Sequence, residues 1–257
     1  MVKIGIIGGS GMDDPNLLNS YEKVDVMTPY GHPSSSITQG TLNGVQVAIL
    51  ARHGNKHQIT PTNVNNRANI WALKSIGCTH IIATTAVGSL KEEIAPGDLV
   101  LIDQFIDRTT KRHSTFHDKD KVVHLPLSEP FCNKLRNILF QTATELQIKT
   151  HPRGTVVTIE GPRFSTKAES HMFRMWGADI INMSSVPEAI LAREIGLCYA
   201  SVAMSTDYDC WRESTIPVTF EEILRVMKEN SEKVKSLILT TIPKISHVDC
   251  ECKSHLQ

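Results

Sequence analysis

What this chain of 257 residues lacks already narrows its partners. It has no excess of either charge. Lys+Arg and Asp+Glu both number 27, so no basic field draws in nucleic acid or an anionic membrane, and a small molecule is the expected partner. It has no apolar run of membrane-spanning length and no secretory leader pattern, and Val2–Ile7 reads directly as a buried strand, which points to a cytoplasmic protein. It has no internal repeat, low-complexity stretch or linker, so one domain is expected over residues 1–245, with a polar tail over 246–257. Six cysteines are present, most in apolar or mixed surroundings that suit reduced core thiols. Cys250-Glu251-Cys252 stands apart in the tail, but two ligands alone make a poor metal cage, and no metal site is expected.

What is present is a series of apolar strand-like runs alternating with helical patterns. That order predicts a single α/β domain: a mixed central β-sheet covered by helices on both faces, with ligands gathering beyond the carboxyl ends of the strands. Asn43-Gly44 between Ile37–Leu42 and Val45–Leu50 signals a tight hairpin. Thr60-Pro61 reads as the start of a helix that Gly77 closes, Thr166 and Glu169 as a capping box, Ser185 and Glu188 as another, and Thr219 and Glu222 as the cap of a long final helix. Leu99–Ile106 reads as one strand. The polar connection Asp107–Ser128 has the length of a lid or subunit contact; its histidines lack ligand spacing.

Polar groups recur where these strands end. Gly8-Gly9-Ser10-Gly11 suits an anion held on backbone amides and a hydroxyl, and it does not meet the G-x-G-x-x-G dinucleotide pattern. Arg52-His53-Gly54 offers a phosphate fork, or else a surface ion pair. Thr85-Ala86-Val87-Gly88-Ser89 reads as a hydroxyl-rich turn, and Ser184 follows another strand. Phe164 suits stacking on a base or plugging the core. In Ala200–Trp211 a buried strand ends in Asp207 and Asp209, two positions apart and therefore on one side of an extended backbone. Like charges that close resist joint ionisation, which leaves one donor and one acceptor, the complement of adenine's N7 and N6 edge. A pair that merely caps the following loop is the alternative.

Gly5–Gly11, Arg52-His53-Gly54, Ala68–Leu73, Asp103–Thr110, Thr158–Ser165 and Ala203–Trp211 together resemble the trimeric class of the purine nucleoside phosphorylase family, and within it the enzymes acting on S-methyl-5'-thioadenosine, from Ile4 to about Pro243. The resemblance implies reversible phosphorolysis of that nucleoside to adenine and 5-methylthio-D-ribose 1-phosphate, serving purine and methionine salvage. It implies no cofactor and no metal, inorganic phosphate being a co-substrate. By the same resemblance Ser10, Arg52, His53, Thr85, Ala86 and Ser184 hold phosphate, and Met183 lies against the sugar. Phe164 stacks on adenine while Asp207 and Asp209 read and protonate it. Phe220 and Leu224 line the 5' pocket, and His124 reaches in from a neighbouring subunit of a homotrimer, or of two trimers joined as a hexamer. Ser184 stands where threonine is usual and Phe220 where vertebrate members have a smaller residue. Three other readings remain: a phosphatase using the Arg-His-Gly triplet, a non-enzymatic nucleotide-binding module, and a phosphorylase for 6-oxopurines.

Overall fold

Ile4 and Ile6 point to one side of the first strand and Ile7 to the other, and all three are buried. A strand apolar on both sides belongs in the middle of a covered sheet. A computed structural model of the chain describes residues 2–8, 18–119, 121–213, 220–245 and 250–253, the side chains of residues 220–224 excepted. In it β1 (Lys3–Gly8) lies between β4 (Val45–Ala51) and β5 (His80–Ser89), parallel to both. The sheet runs β2 (Asn19–Val24), β3 (Ile37–Leu42), β4, β1, β5, β10 (Ile180–Asn182), β9 (Thr155–Ile159) and β7 (Gln104–Arg108). A branch leaves β5 through β11 (Cys198–Tyr208) to β6 (Leu99–Leu101) and β8 (Thr150–His151).

One face packs Ile7, Leu50, Ile81 and Tyr199 beneath α1 (Asn66–Ser75) and α4 (Ser185–Glu194). The other packs Ile4, Ile6, Ile82 and Val202 beneath α2 (Asn133–Glu145) and α5 (Phe220–Thr241). A third cluster joins Phe173 of α3 (Lys167–Met175) to Val157, Ile181 and Trp211. The expected mixed sheet with helices on both faces is therefore present.

Several local expectations hold and several shift. Asn43 and Gly44 both have positive φ, 48° and 81°, as the tight hairpin requires. Thr166 and Glu169 make the capping box at α3. Thr60-Pro61, by contrast, begins only the single turn Pro61–Asn63, and α1 starts at Asn66, where the Asn65 side chain accepts from the Ala68 amide. Leu99–Ile106 splits into β6 and β7 because the chain changes partner between them. The Asp103 amide donates to the Gly154 carbonyl and its carboxylate accepts from the Gly154 amide, after which β7 pairs with β9. Ser185 and Glu188 form no capping box: α4 has no side-chain cap, Ser185 accepts from Asn182, and Glu188 is fully buried elsewhere. Thr219 lies outside the described residues, as does Ser10. Within residues 109–132 the described positions form no helix or strand, in keeping with the long connection.

Candidate active site

The site lies where one strand changes neighbour. β1 pairs with β5 only as far as Ala83, and β10 joins the same strand, antiparallel, only at Gly88 and Ser89. On its other edge β5 keeps β11 alongside from His80 to Ser89. Thr85–Ser89 is therefore strand and not the expected turn, since β11 continues to support it. The gap between β1 and β10 exposes Thr84 to Gly88 to a cavity of about 310 Å³, within the usual range for small-molecule sites.

Because β10 runs antiparallel to β5, the residues after it come back towards the middle of β5. Ser184 thus meets Thr85, with their hydroxyl oxygens 2.8 Å apart. Asn182 holds the pair from below: its amide donates to Thr85 Oγ1 at 3.2 Å and to Ser185 Oγ at 2.7 Å, and its carbonyl oxygen accepts from Thr158 at 2.8 Å. Arg52 follows β4 and closes the same end of the cavity. Its Nε and Nη2 donate to the two carboxylate oxygens of Glu188 at 2.5 and 3.0 Å, and Nη1 donates to the Thr84 carbonyl at 2.7 Å. Burial opposes the guanidinium charge, but Glu188 outweighs it and the pKa of Arg52 is raised. Tyr199 donates to the same carboxylate at 2.9 Å. The fork of Arg52 is thus occupied by protein, and the N–H groups left over, one on each Nη, are those available to an anion.

His53 is held by its Nδ1, 2.9 Å from the Ile59 carbonyl. A carbonyl only accepts, so Nδ1 carries the hydrogen. Burial and then the charge of Arg52 lower its pKa, and the neutral ring offers an acceptor at Nε2.

Asp207 and Asp209 both line the opposite part of the cavity. β11 carries a register shift between Ser205 and Asp207 opposite β5, and such an irregularity re-aims the side chains beyond it. Burial pushes the Asp207 carboxyl up to about 6; a hydrogen bond from Thr206 at 2.6 Å works against this and the charge of Asp209 adds to it. The raised value matches the expectation of a retained proton, but its main cause is desolvation, with like-charge repulsion secondary. Asp209 accepts a hydrogen bond from Ser165 Oγ, 2.7 and 2.8 Å from its two oxygens. Phe164 stands at the mouth, 76% exposed, and Met183, Met204 and Met227 give the wall a polarizable apolar lining.

Met183 is itself positioned. Buried Arg112 donates to the carbonyls of Met183 and Val186 at 2.8 and 2.7 Å and to that of Ile159 at 3.2 Å. Its partner is Glu160, 3.5 Å away. Burial disfavours that carboxylate, yet bonds from Thr62, Thr110 and Lys111, with the charge of Arg112, bring it down to about 2.

The cavity therefore gathers Arg52, His53, Thr85, Ala86, Phe164, Met183, Ser184, Asp207 and Asp209. His124 is exposed and does not line it. Ser10 and the side chains of Phe220 and Leu224 lie outside the described residues. Glu188, Asn182, Ser165, Arg112 and Met227 were missed. For Glu188 the available signal was a carboxylate among apolar residues in Val186–Ala192, which requires a buried cation.

A sheet interrupted in this way, with an anion-compatible end facing a carboxyl-lined end across one cavity, defines a nucleoside phosphorylase-like fold. Residues 3–243 match the model of the phosphorylase superfamily, and the chain belongs to that family. Its relatives include the S-methyl-5'-thioadenosine phosphorylases of Danio rerio, 58% identical over 253 residues (96% of this chain, 90% of that protein), and of Xenopus tropicalis, 57% identical over 254 residues with the same coverage. Among solved structures, methylthioadenosine phosphorylase from Schistosoma mansoni in complex with adenine superposes with a TM-score of 0.93 at 42% identity, covering 100% of this chain and 96% of that one. A variant of the adenosine/methylthioadenosine phosphorylase from that organism, in complex with methylthioadenosine, gives 0.92 at 42% identity, with 100% and 95% covered.

Proposed function

We propose that this chain catalyses the reversible phosphorolysis of S-methyl-5'-thioadenosine to adenine and 5-methylthio-D-ribose 1-phosphate, a pentosyl transfer that salvages purine and methionine precursors. The observation that carries the reading is the placement of Asp207, with its raised pKa, in one cavity with Arg52, Thr85 and Ser184.

Cleaving an N-glycosidic bond develops positive charge on the sugar and negative charge on the departing base. Phosphate below the sugar supplies the anion and acts as nucleophile; Asp207 supplies a proton towards N7, and Asp209, oriented by Ser165, accepts from N6. The hydroxyls of Thr85 and Ser184, the free N–H groups of Arg52, the backbone at Ala86 and Ser10 hold phosphate. Neutral His53 accepts from the one hydroxyl of monohydrogen phosphate. Phe164 covers the base, Met183 lies against the sugar, and Phe220, Leu224 and Met227 surround the 5' group. The chemistry is complete with phosphate as co-substrate and uses no cofactor or catalytic metal.

The working unit in this proposal is a cytoplasmic homotrimer, or a pair of trimers, in which His124 of a neighbouring subunit completes the 5' pocket. Support comes from the exposure of His124 away from its own cavity and from the large apolar side chains Val122 and Met175, each 80% exposed. No described helix is long and apolar enough to cross a membrane. Phosphate-dependent release of adenine from methylthioadenosine, assayed beside adenosine and inosine, tests the reaction. Adenine release that ignores phosphate, or preference for inosine, refutes it.

A further inference from the structure

A second concentration of chemistry lies at the other end of β11. Cys132 stands at the start of α2, Cys198 opens β11, and Cys250 and Cys252 come from the tail. Their sulfur atoms all lie within 4.8 Å of one another. Cys132, Cys198 and Cys252 are buried and Cys250 is half-buried. Cys198 Sγ and Cys250 Sγ are 2.9 Å apart. The chain's remaining cysteines, Cys78 and Cys210, take no part in the cluster.

Packing four thiols together from three separate parts of the chain has no ready explanation in apolar burial, because any small hydrophobe would fill that space as well. A tetrahedral cation explains it. With zinc–sulfur bonds of about 2.3 Å, tetrahedral geometry sets the sulfurs ~3.8 Å apart, inside the observed spread. We propose that Cys132, Cys198, Cys250 and Cys252 form a structural tetrathiolate site for one zinc ion per chain. Four sulfur ligands select zinc over hard cations, and a closed donor set leaves no open position for substrate. Binding displaces the thiol protons to solvent and involves no oxidation or reduction: four S–H bonds break, four zinc–sulfur bonds form, and the complex carries a net charge of minus two. A cleft of about 640 Å³ beside the cysteines provides an entry path; its walls carry Lys134, Arg193 and Lys253 against Glu129 and Glu251, a balance of one positive charge that offsets part of the charge of the complex.

The role is to pin the tail to the sheet. Cys198 pairs with His80 at the start of β5, whereas Asp207 pairs with Gly88. At ~3.3 Å per residue the two sites are roughly 30 Å apart along the strand. Metal loss therefore reads out in stability and leaves turnover alone.

The test uses the full chain, purified without chelator. Elemental analysis by mass spectrometry should find about one zinc per chain, the content expected of a closed structural site. Cobalt(II) in its place should give thiolate charge-transfer bands and the spectrum of a tetrahedral complex. The double variant Cys132→Ser, Cys252→Ser should lose the zinc and melt lower, while Cys78→Ser keeps it. A parent chain that takes up no zinc from one equivalent of zinc chloride, whether its four thiols stay free or pair as disulfides, overturns the proposal. Zinc retained by the double variant overturns it equally, and because the parent chain alone decides the first outcome, poor folding of a variant does not shield it. Phosphorolysis assayed on the same samples is a separate readout.

Discussion

Arg52 and Glu188 stand 136 positions apart in the chain and form a two-pronged ion pair, Nε to Oε1 at 2.5 Å and Nη2 to Oε2 at 3.0 Å, with both side chains buried. Breaking one side of such a pair leaves a charge without solvent or partner, which costs about 3–5 kcal/mol. Glu188→Ala should therefore destabilise the protein by that order in chemical denaturation. Glu188→Gln keeps one acceptor and the shape. It should fold, but with Arg52 held less firmly the KM for phosphate should rise about tenfold, roughly the value of one charge-assisted bond, with a smaller change in the KM for nucleoside. Equal effects on both KM values would mean that Arg52 does not serve the phosphate.

Gly161 illustrates how the sugar platform is held. A β-carbon there would come within 2.6 Å of Met183 Sδ and 2.9 Å of Pro61. The Pro61 ring is rigid, whereas the Met183 thioether is flexible and borders the cavity, so Gly161→Ala should push Met183 into the cavity. We expect a drop in kcat/KM of about 10–100-fold, the scale on which an ångström of misplacement acts, with retained fold by circular dichroism. Unchanged kinetics would place Met183 away from the substrate.

The raised pKa of Asp207 has a consequence for stability. The folded value, about 6, lies above the ordinary 3.8, so between these values the folded chain holds more protons than the unfolded one. Stability contributed by the protonated carboxyl is full below about pH 4 and falls as pH rises through about 6. The difference amounts to something on the order of 3 kcal/mol for a shift of this size. Asp207→Asn removes that loss and should melt about 6–12 °C above the parent at pH 7.5, with the gap closing towards pH 4. A variant that melts lower at both pH values would show that the carboxylate is stabilised in the fold.

Much of the architecture could be read in the sequence because it rests on local rules: alternating apolar runs, the Asn43-Gly44 hairpin and the Thr166 capping box each need only neighbours. Expectations strayed where distant partners decide. Thr85–Ser89 has the composition of a turn but stays in the sheet because β11 lies beside it. Leu99–Ile106 is apolar enough for one strand and breaks because Gly154 captures Asp103. Glu188 has the spacing of a capping residue, and only the fold brings Arg52 to it. The tail cysteines likewise offered two ligands, while the other two lie far back in the chain.

The most direct test of the account concerns Asp207 as the group that protonates and reads the base. We would measure kcat/KM for S-methyl-5'-thioadenosine and for methylthioinosine from pH 5 to 9, in the parent and in Asp207→Asn. In the parent, activity on the adenine nucleoside should decline as pH rises above about 6, where the free enzyme loses the proton from Asp207. The variant should be slower on that substrate by roughly 10²–10⁴-fold, the usual contribution of a general acid, with the decline absent and relative preference moved towards the 6-oxopurine, to which the new amide can donate. An unchanged ratio between the two substrates, together with an unchanged pH profile, would contradict the account.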